Sequence, residues 1–223
     1  MTLVRWQKEI LIFLILFFGM SLFSFWLLNG GAYAKNLRYS LFLNSPLAAA
    51  DLKTGQLLEI KKADGATIPQ QTPTTTSINQ GFTLLIPKIG VSAPIVLNPE
   101  DDMKSILASL EDGVGLYPGS ELPGKPGRAV VLGHSSRASW YRGEYATVFA
   151  LLPKLEVKDT FYVYEGQKRY TYEVIDKKVL SPQDTTTFLS TNTPDSEVDL
   201  ITCYPIGSAS KRTIIQGKLV KTE

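Results

Sequence analysis

Nineteen consecutive residues without a charge, Ile10 to Leu28, constrain this chain more than any other stretch. As a helix the run would extend roughly 28 Å, close to the hydrocarbon thickness of a bilayer. Trp6 before it and Trp26 near its far end suit the two membrane interfaces, so the run reads as a transmembrane span. Arg5 and Lys8 precede it and Lys35 and Arg38 follow it, a nearly even balance of basic residues. A short basic leader ahead of a single apolar segment is nonetheless how a following domain is usually sent across, which puts the amino terminus in the cytoplasm. Two other readings compete. Ala32-Tyr33-Ala34 matches the small-x-small pattern of signal cleavage, although a signal's apolar region runs only about 7–15 residues. A buried core helix would need a partner large enough to cover it on every side. Retained or cleaved, the segment sends the rest of the chain out of the cytoplasm.

Beyond it, Leu52 to Lys62 carries apolar positions compatible with either a short helix or a strand, and Pro69 to Ser77 is polar and punctuated by proline. A stretch so poor in apolar groups cannot pack, and it reads as a spacer holding a domain off the membrane; an ordinary surface loop is the alternative. The expected organisation is a cytoplasmic leader (1–9), a membrane anchor (10–28), an extracytoplasmic linker (29–80) and a folded domain (81–223). The last part is long enough to bury an independent core.

Most patterns in that domain have strand length and strand composition. Thr83 to Ile86 and Pro94 to Leu97 are short apolar runs broken by Pro87 and Gly90. A helix is expected next, with Asn98 as its cap, Pro99 at its first position and Met103, Ile106, Leu107 and Leu110 as its apolar stripe. Arg128 to Leu132 forms a compact strand, Tyr145 to Leu155 a weaker helical or turn-like stretch, and Phe161 to Glu165 with Tyr170 to Lys178 a hairpin around Gly166. The polar segment from Ser181 to about Glu197 has the length of a binding loop. Val198 to Cys203 and Arg212 to Val220 close the chain as two more strands. Seven or eight short strands with one or two short helices predict a mainly β domain, a closed or nearly closed barrel.

The 223 residues contain 23 Lys and Arg against 21 Asp and Glu, and a net charge of +2 leaves no electrostatic footprint for nucleic acid. There is one cysteine, Cys203, and one histidine, His134. A single cysteine excludes an intrachain disulfide and a zinc site of the several-cysteine kind. If the last two strands pair, Cys203 ends one and Arg212 begins the next, and opposed residues of an antiparallel pair share a face about 5 Å apart. His134 also sits at a strand end. A thiolate is the reactive form of cysteine, imidazole changes charge near neutral pH and arginine stays protonated, so the three suit a cysteine nucleophile with a base and a cation close by. Taken singly each has a plainer reading: a small buried thiol, a satisfied histidine and a solvated hairpin charge.

Leu200-x-Thr202-Cys203, the downstream Arg212, the upstream Gly133-His134 and the opening Leu85-Ile86-Pro87-Lys88-Ile89-Gly90, in this order, resemble the sortases, membrane-anchored cysteine transpeptidases of bacterial envelopes. The resemblance covers about Phe82 to Val220. It departs at Asp199, where the family usually has threonine, and the short spacing from Cys203 to Arg212 is similar to a class D or class E member. It implies a sortase-like closed β-barrel and a thioester formed on Cys203 with the carbonyl of an LPXTG-like sorting signal. It also implies proton transfer by His134, and Arg212 donating to the substrate backbone or developing oxyanion. The implied partners are secreted proteins carrying that signal and an amine acceptor, either a cell-wall precursor or a pilin lysine. No metal or organic cofactor is implied. Thr202 is a candidate substrate-positioning residue, or a residue that simply favours the strand.

Two other functions fit parts of the pattern. An L,D-transpeptidase also uses cysteine and histidine but typically places them close together, whereas here 69 positions separate them. A non-catalytic β-barrel adhesion module needs no thiol. Ser135 and Ser136 lack both a second histidine and a Gly-x-Ser-x-Gly elbow.

Overall fold

A computed structural model describes residues 5–43, 81–97, 102–136, 143–191 and 193–223. The amino-terminal helix α1 spans Arg5–Leu43 and is far longer than its apolar run. Trp6–Leu27 is long and apolar enough to cross a membrane and none of it is buried. The helix then continues through Asn29–Leu43, residues whose sequence suggests the start of a spacer. The expected linker elements at Leu52–Lys62 and Pro69–Ser77 lie outside the described residues.

Eight strands close into a barrel in the order β1-β2-β3-β4-β7-β8-β6-β5. They are β1 (Phe82–Ile86), β2 (Val91–Leu97), β3 (Val114–Leu116), β4 (Gly127–Leu132), β5 (Thr160–Glu165), β6 (Lys168–Leu180), β7 (Ser196–Tyr204) and β8 (Lys211–Thr222). Alternating burial along β1, β2 and β5 follows from the two-residue period of a strand with one face on the core. That core includes Leu84, Ile86, Val131, Phe149, Leu155, Leu200 and Ile215. Phe161 and Tyr172 stack inside it, ring centroids 5.3 Å apart. They fit because position 217 is glycine: a Cβ there would lie 2.4 Å from Phe161 Cζ.

Most pairings are antiparallel, but β2 with β3 and β4 with β7 are parallel. The β4–β7 pair is the one that matters for the site, since parallel neighbours bring their carboxyl-terminal ends to the same rim. Between β2 and β3 comes α2 (Met103–Asp112). Its cap is Asp102, whose carboxylate accepts from the amides of Lys104 and Ser105, and not Asn98, which lies outside the described residues. Tyr145–Leu155 folds as turns ending in a 3-10 segment, Leu152–Lys154.

The polar segment after Ser181, expected as a loop, contains a helix, α3 (Pro182–Leu189). Ser181 caps it by accepting from the Asp184 amide and Pro182 occupies its first turn. Serine, proline and an acid in this order form a helix-start signature that the surrounding threonines obscure. Phe188 and Leu189 from α3 lie over Val130, Ile201 and Ile214, a second small apolar cluster on the outer face of the barrel.

Candidate active site

Cys203 stands one residue from the end of β7 and is paired in register with Arg212, the second residue of β8. Both are half-buried. Strand alternation puts Cys203 on the face of Ile201, and Arg212 on that of Ile214, so thiol and guanidinium lie at the mouth of the surface that α3 covers. The Arg212 Nη1 donates to the carbonyls of Ala209 and Lys211, both at 2.9 Å, which directs the guanidinium within the β7–β8 turn. The turn begins with a cis Tyr204–Pro205 peptide.

His134 reaches the same rim from β4. Leu132 is in register with Ile201, and the Gly133 amide donates to the Ile201 carbonyl at 3.1 Å, extending the ladder one residue past the strand. Two further bonds fix the turn-off. Thr202 Oγ1 donates to the Gly133 carbonyl at 2.8 Å, and the Phe149 amide donates to the His134 carbonyl at 2.9 Å. Gly133 is required by packing, because a Cβ there would lie 2.4 Å from Phe149 Cδ2. The structure thus gathers His134, Cys203 and Arg212 at one end of the barrel.

Thr202, the candidate substrate-positioning residue, points inward, is 2% exposed and donates its hydroxyl to Gly133, a bond that ties the histidine segment to β7. Neighbours on a strand face opposite sides, and a residue adjacent to an accessible thiol must turn to the core.

Asp199, the departure in the motif, is fully buried on the outer face four residues before Cys203. Arg128 on β4 faces it, Nε lying 3.1 Å from Asp199 Oδ2. The approach is off the N–H axis, and neither carboxylate oxygen has a hydrogen-bond partner. Burial accordingly pushes its pKa up to about 7, against the pull of Arg128 and with a further push from Glu197. The rest of the guanidinium works on α3. Nη1 donates to the carbonyls of Phe188 (2.7 Å) and Thr191 (3.1 Å), and the group stacks 4.5 Å from the Phe188 ring centroid. Nη2 meets Glu197, which also accepts from Gln216 Nε2 at 2.9 Å. Arg128 thereby ties the carboxyl-terminal end of α3 to the strand that carries Cys203. Sequence reasoning did not single out Arg128, since nothing local marks an arginine whose partners lie 60 to 71 positions away. Arg128 also lines a cleft of about 510 Å³ between Tyr117–Glu121 on one side and Leu189, Thr191 and Thr193 on the other.

Fold and rim define a closed mixed β-barrel with a strand-end cysteine. A profile of the Sortase domain matches residues 84–220, and the chain belongs to the sortase family. It is 34% identical over 140 residues to Sortase D of Bacillus subtilis (strain 168), an alignment covering 61% of this chain and 62% of that protein. Among solved structures it is similar to sortase C-1 from Actinomyces oris, with 32% identity, a TM-score of 0.54 and coverage of 65% and 76% of the two chains. It is also similar to a lid mutant of sortase A from Corynebacterium diphtheriae, with 30% identity, a TM-score of 0.53 and coverage of 64% and 70%. The similarity to Sortase D agrees with the class D resemblance of the short Cys203–Arg212 spacing.

Proposed function

We propose that the chain is a membrane-anchored cysteine transpeptidase that cleaves an LPXTG-like sorting signal and joins its acyl part to an amine. The observation that carries this reading is the register that sets Cys203 opposite Arg212, with His134 arriving at the same rim on the parallel neighbour β4. The Cys203 thiolate attacks the scissile carbonyl carbon, and Arg212 donates to the oxyanion that forms. The intermediate collapses as the C–N bond breaks, His134 gives the leaving amine a proton, and a thioester remains. An incoming amine attacks the thioester, His134 removes its proton, and Cys203 leaves as thiolate. Water in place of the amine gives slow hydrolysis.

The acceptor is an amine of a cell-wall precursor or a pilin lysine, and the donors are secreted proteins ending in the sorting signal. Residues 10–28 anchor the enzyme in the cell membrane by a single pass, with residues 1–9 cytoplasmic and the barrel outside. The test incubates the full chain in detergent with LPXTG-like peptides and amine acceptors, followed by mass spectrometry. A thioester adduct on Cys203 and ligated product are expected. Ligation by Cys203→Ala, or no adduct with any peptide, refutes the reading.

A further inference from the structure

Exposure along α1 changes character at one point. Every side chain described from Ile10 to Leu27 is exposed, whereas Asn29 and Ala32 are buried and Lys35, Asn36, Tyr39 and Ser40 are partly so. Spacings of three and four residues make these one face of the helix, and the barrel domain covers that face. The contacts are ordered along the axis. Asn29 comes first: Ser136 Oγ donates to its side-chain oxygen at 3.4 Å and itself accepts from the Gly207 amide at 3.0 Å. A Cβ on Gly207, whose φ is +81°, would lie 2.5 Å from that same Asn29 oxygen. Tyr33 then donates to the Ile206 carbonyl at 3.4 Å, Lys35 to the Thr147 carbonyl at 3.2 Å, and Tyr39 packs on the barrel core.

Ser136 follows His134 by two residues, and Ile206 and Gly207 belong to the turn between Cys203 and Arg212. The rim of the site therefore meets α1 at its first turn beyond the apolar segment, and the barrel core meets it about 15 Å further along, ten residues at the helical rise. Asn29 lies two residues past Leu27, about 3 Å along the axis, inside a headgroup layer several ångströms deep.

We propose that Asn29–Tyr39 is a rigid strut that seats the catalytic rim on the lipid headgroup surface, so that the enzyme selects substrates tethered in the same membrane with the scissile bond close to it. The inference rests on the membrane-span and active-site readings. A continuous helix with a docked face sets the height of the rim directly. A flexible spacer would instead leave that height to the length of a random coil.

Cys203 is the only thiol in the chain, so it can carry a fluorophore without other labelling. The full chain is placed in phosphatidylcholine–phosphatidylglycerol vesicles containing headgroup-nitroxide lipid, and flotation is checked first. Failure to float with the vesicles refutes the span and leaves the strut without its basis. Strong quenching of the Cys203 label is expected in the native chain. Inserting seven helix-forming residues between Leu28 and Asn29 lifts the rim about 10 Å while returning the docked face to within about 20°. Quenching then falls by roughly half or more, as it does in Ala32→Glu, which undocks the face.

In unlabelled protein, the insertion leaves turnover of a soluble signal peptide unchanged. For substrates joined to an apolar anchor through spacers of graded length, it lengthens the optimal spacer by about three extended residues. Floating protein whose label is unquenched, or a spacer optimum that the insertion does not move, overturns the strut while leaving the transpeptidase reading intact.

Discussion

Arg212 and Asp199 illustrate how differently two ionisable groups behave on paired strands of one hairpin. Arg212 is half-buried and held by carbonyls of its own turn, so its guanidinium is oriented before a substrate arrives. A lysine at that position keeps the charge but not the planar fork. Arg212→Lys is expected to lower kcat/KM about 100- to 1000-fold, measured with the ligation assay, because one positioned donor to an oxyanion carries an effect of that order.

Asp199 has no exposure and no hydrogen bond to its carboxylate, and its pKa stands at about 7 against an ordinary 3.8. The folded protein therefore favours the neutral acid. The pH-dependent cost of burying Asp199 is absent below pH 4, grows from 4 to 7, and is complete above 7, at most about 4 kcal/mol. Asp199→Asn should remove that slope. Between pH 5 and pH 8, the Tm of the variant is expected to gain on that of the native protein, which parallel thermal melts at several pH values will show.

At the scale of elements, the site depends on the β4–β7 pair and on the helix held beside it. Thr202 and Phe149 pin the segment that carries His134, while Arg128 connects α3 to β7. Arg128 is itself nearly buried, between two acids that have no other cation at ion-pair distance among the described residues. Arg128→Met is expected to destabilise by about 3–5 kcal/mol in denaturant titrations, since it strands Asp199 and Glu197. Adding Asp199→Asn should recover part of the loss. Apolar runs and turn residues made the β5–β6 and β7–β8 hairpins legible in the sequence, down to Cys203 opposite Arg212. They did not reveal α3, whose polar face resembles a loop. Nor did they reveal β3, whose three residues are too few to show a period.

Across the whole molecule, barrel closure leaves little room for adjustment, because every strand is held on both sides. Gly217 on β8 lets the Phe161–Tyr172 stack pass beneath it. Gly217→Ala is expected to cost about 1–3 kcal/mol, read from denaturant midpoints, through overpacking of a core that cannot expand on one side alone. The same rigidity carries the rim as a unit, so the height of Asn29 on α1 sets the height of Cys203 as well.

The sequence by itself determined the apolar segment, the strand-rich barrel domain and the three candidate residues that meet at its rim. Local patterns encode these: absence of charge, alternation, turn residues and rare reactive side chains. Tertiary structure alone decided which strands run parallel and that Thr202 faces inward. It alone also decided that Asp199 answers Arg128 across a strand pair, and that α1 continues past Leu28 to lie against the rim. Each of these depends on contacts between segments far apart in the chain, and such contacts leave no periodic trace in either segment.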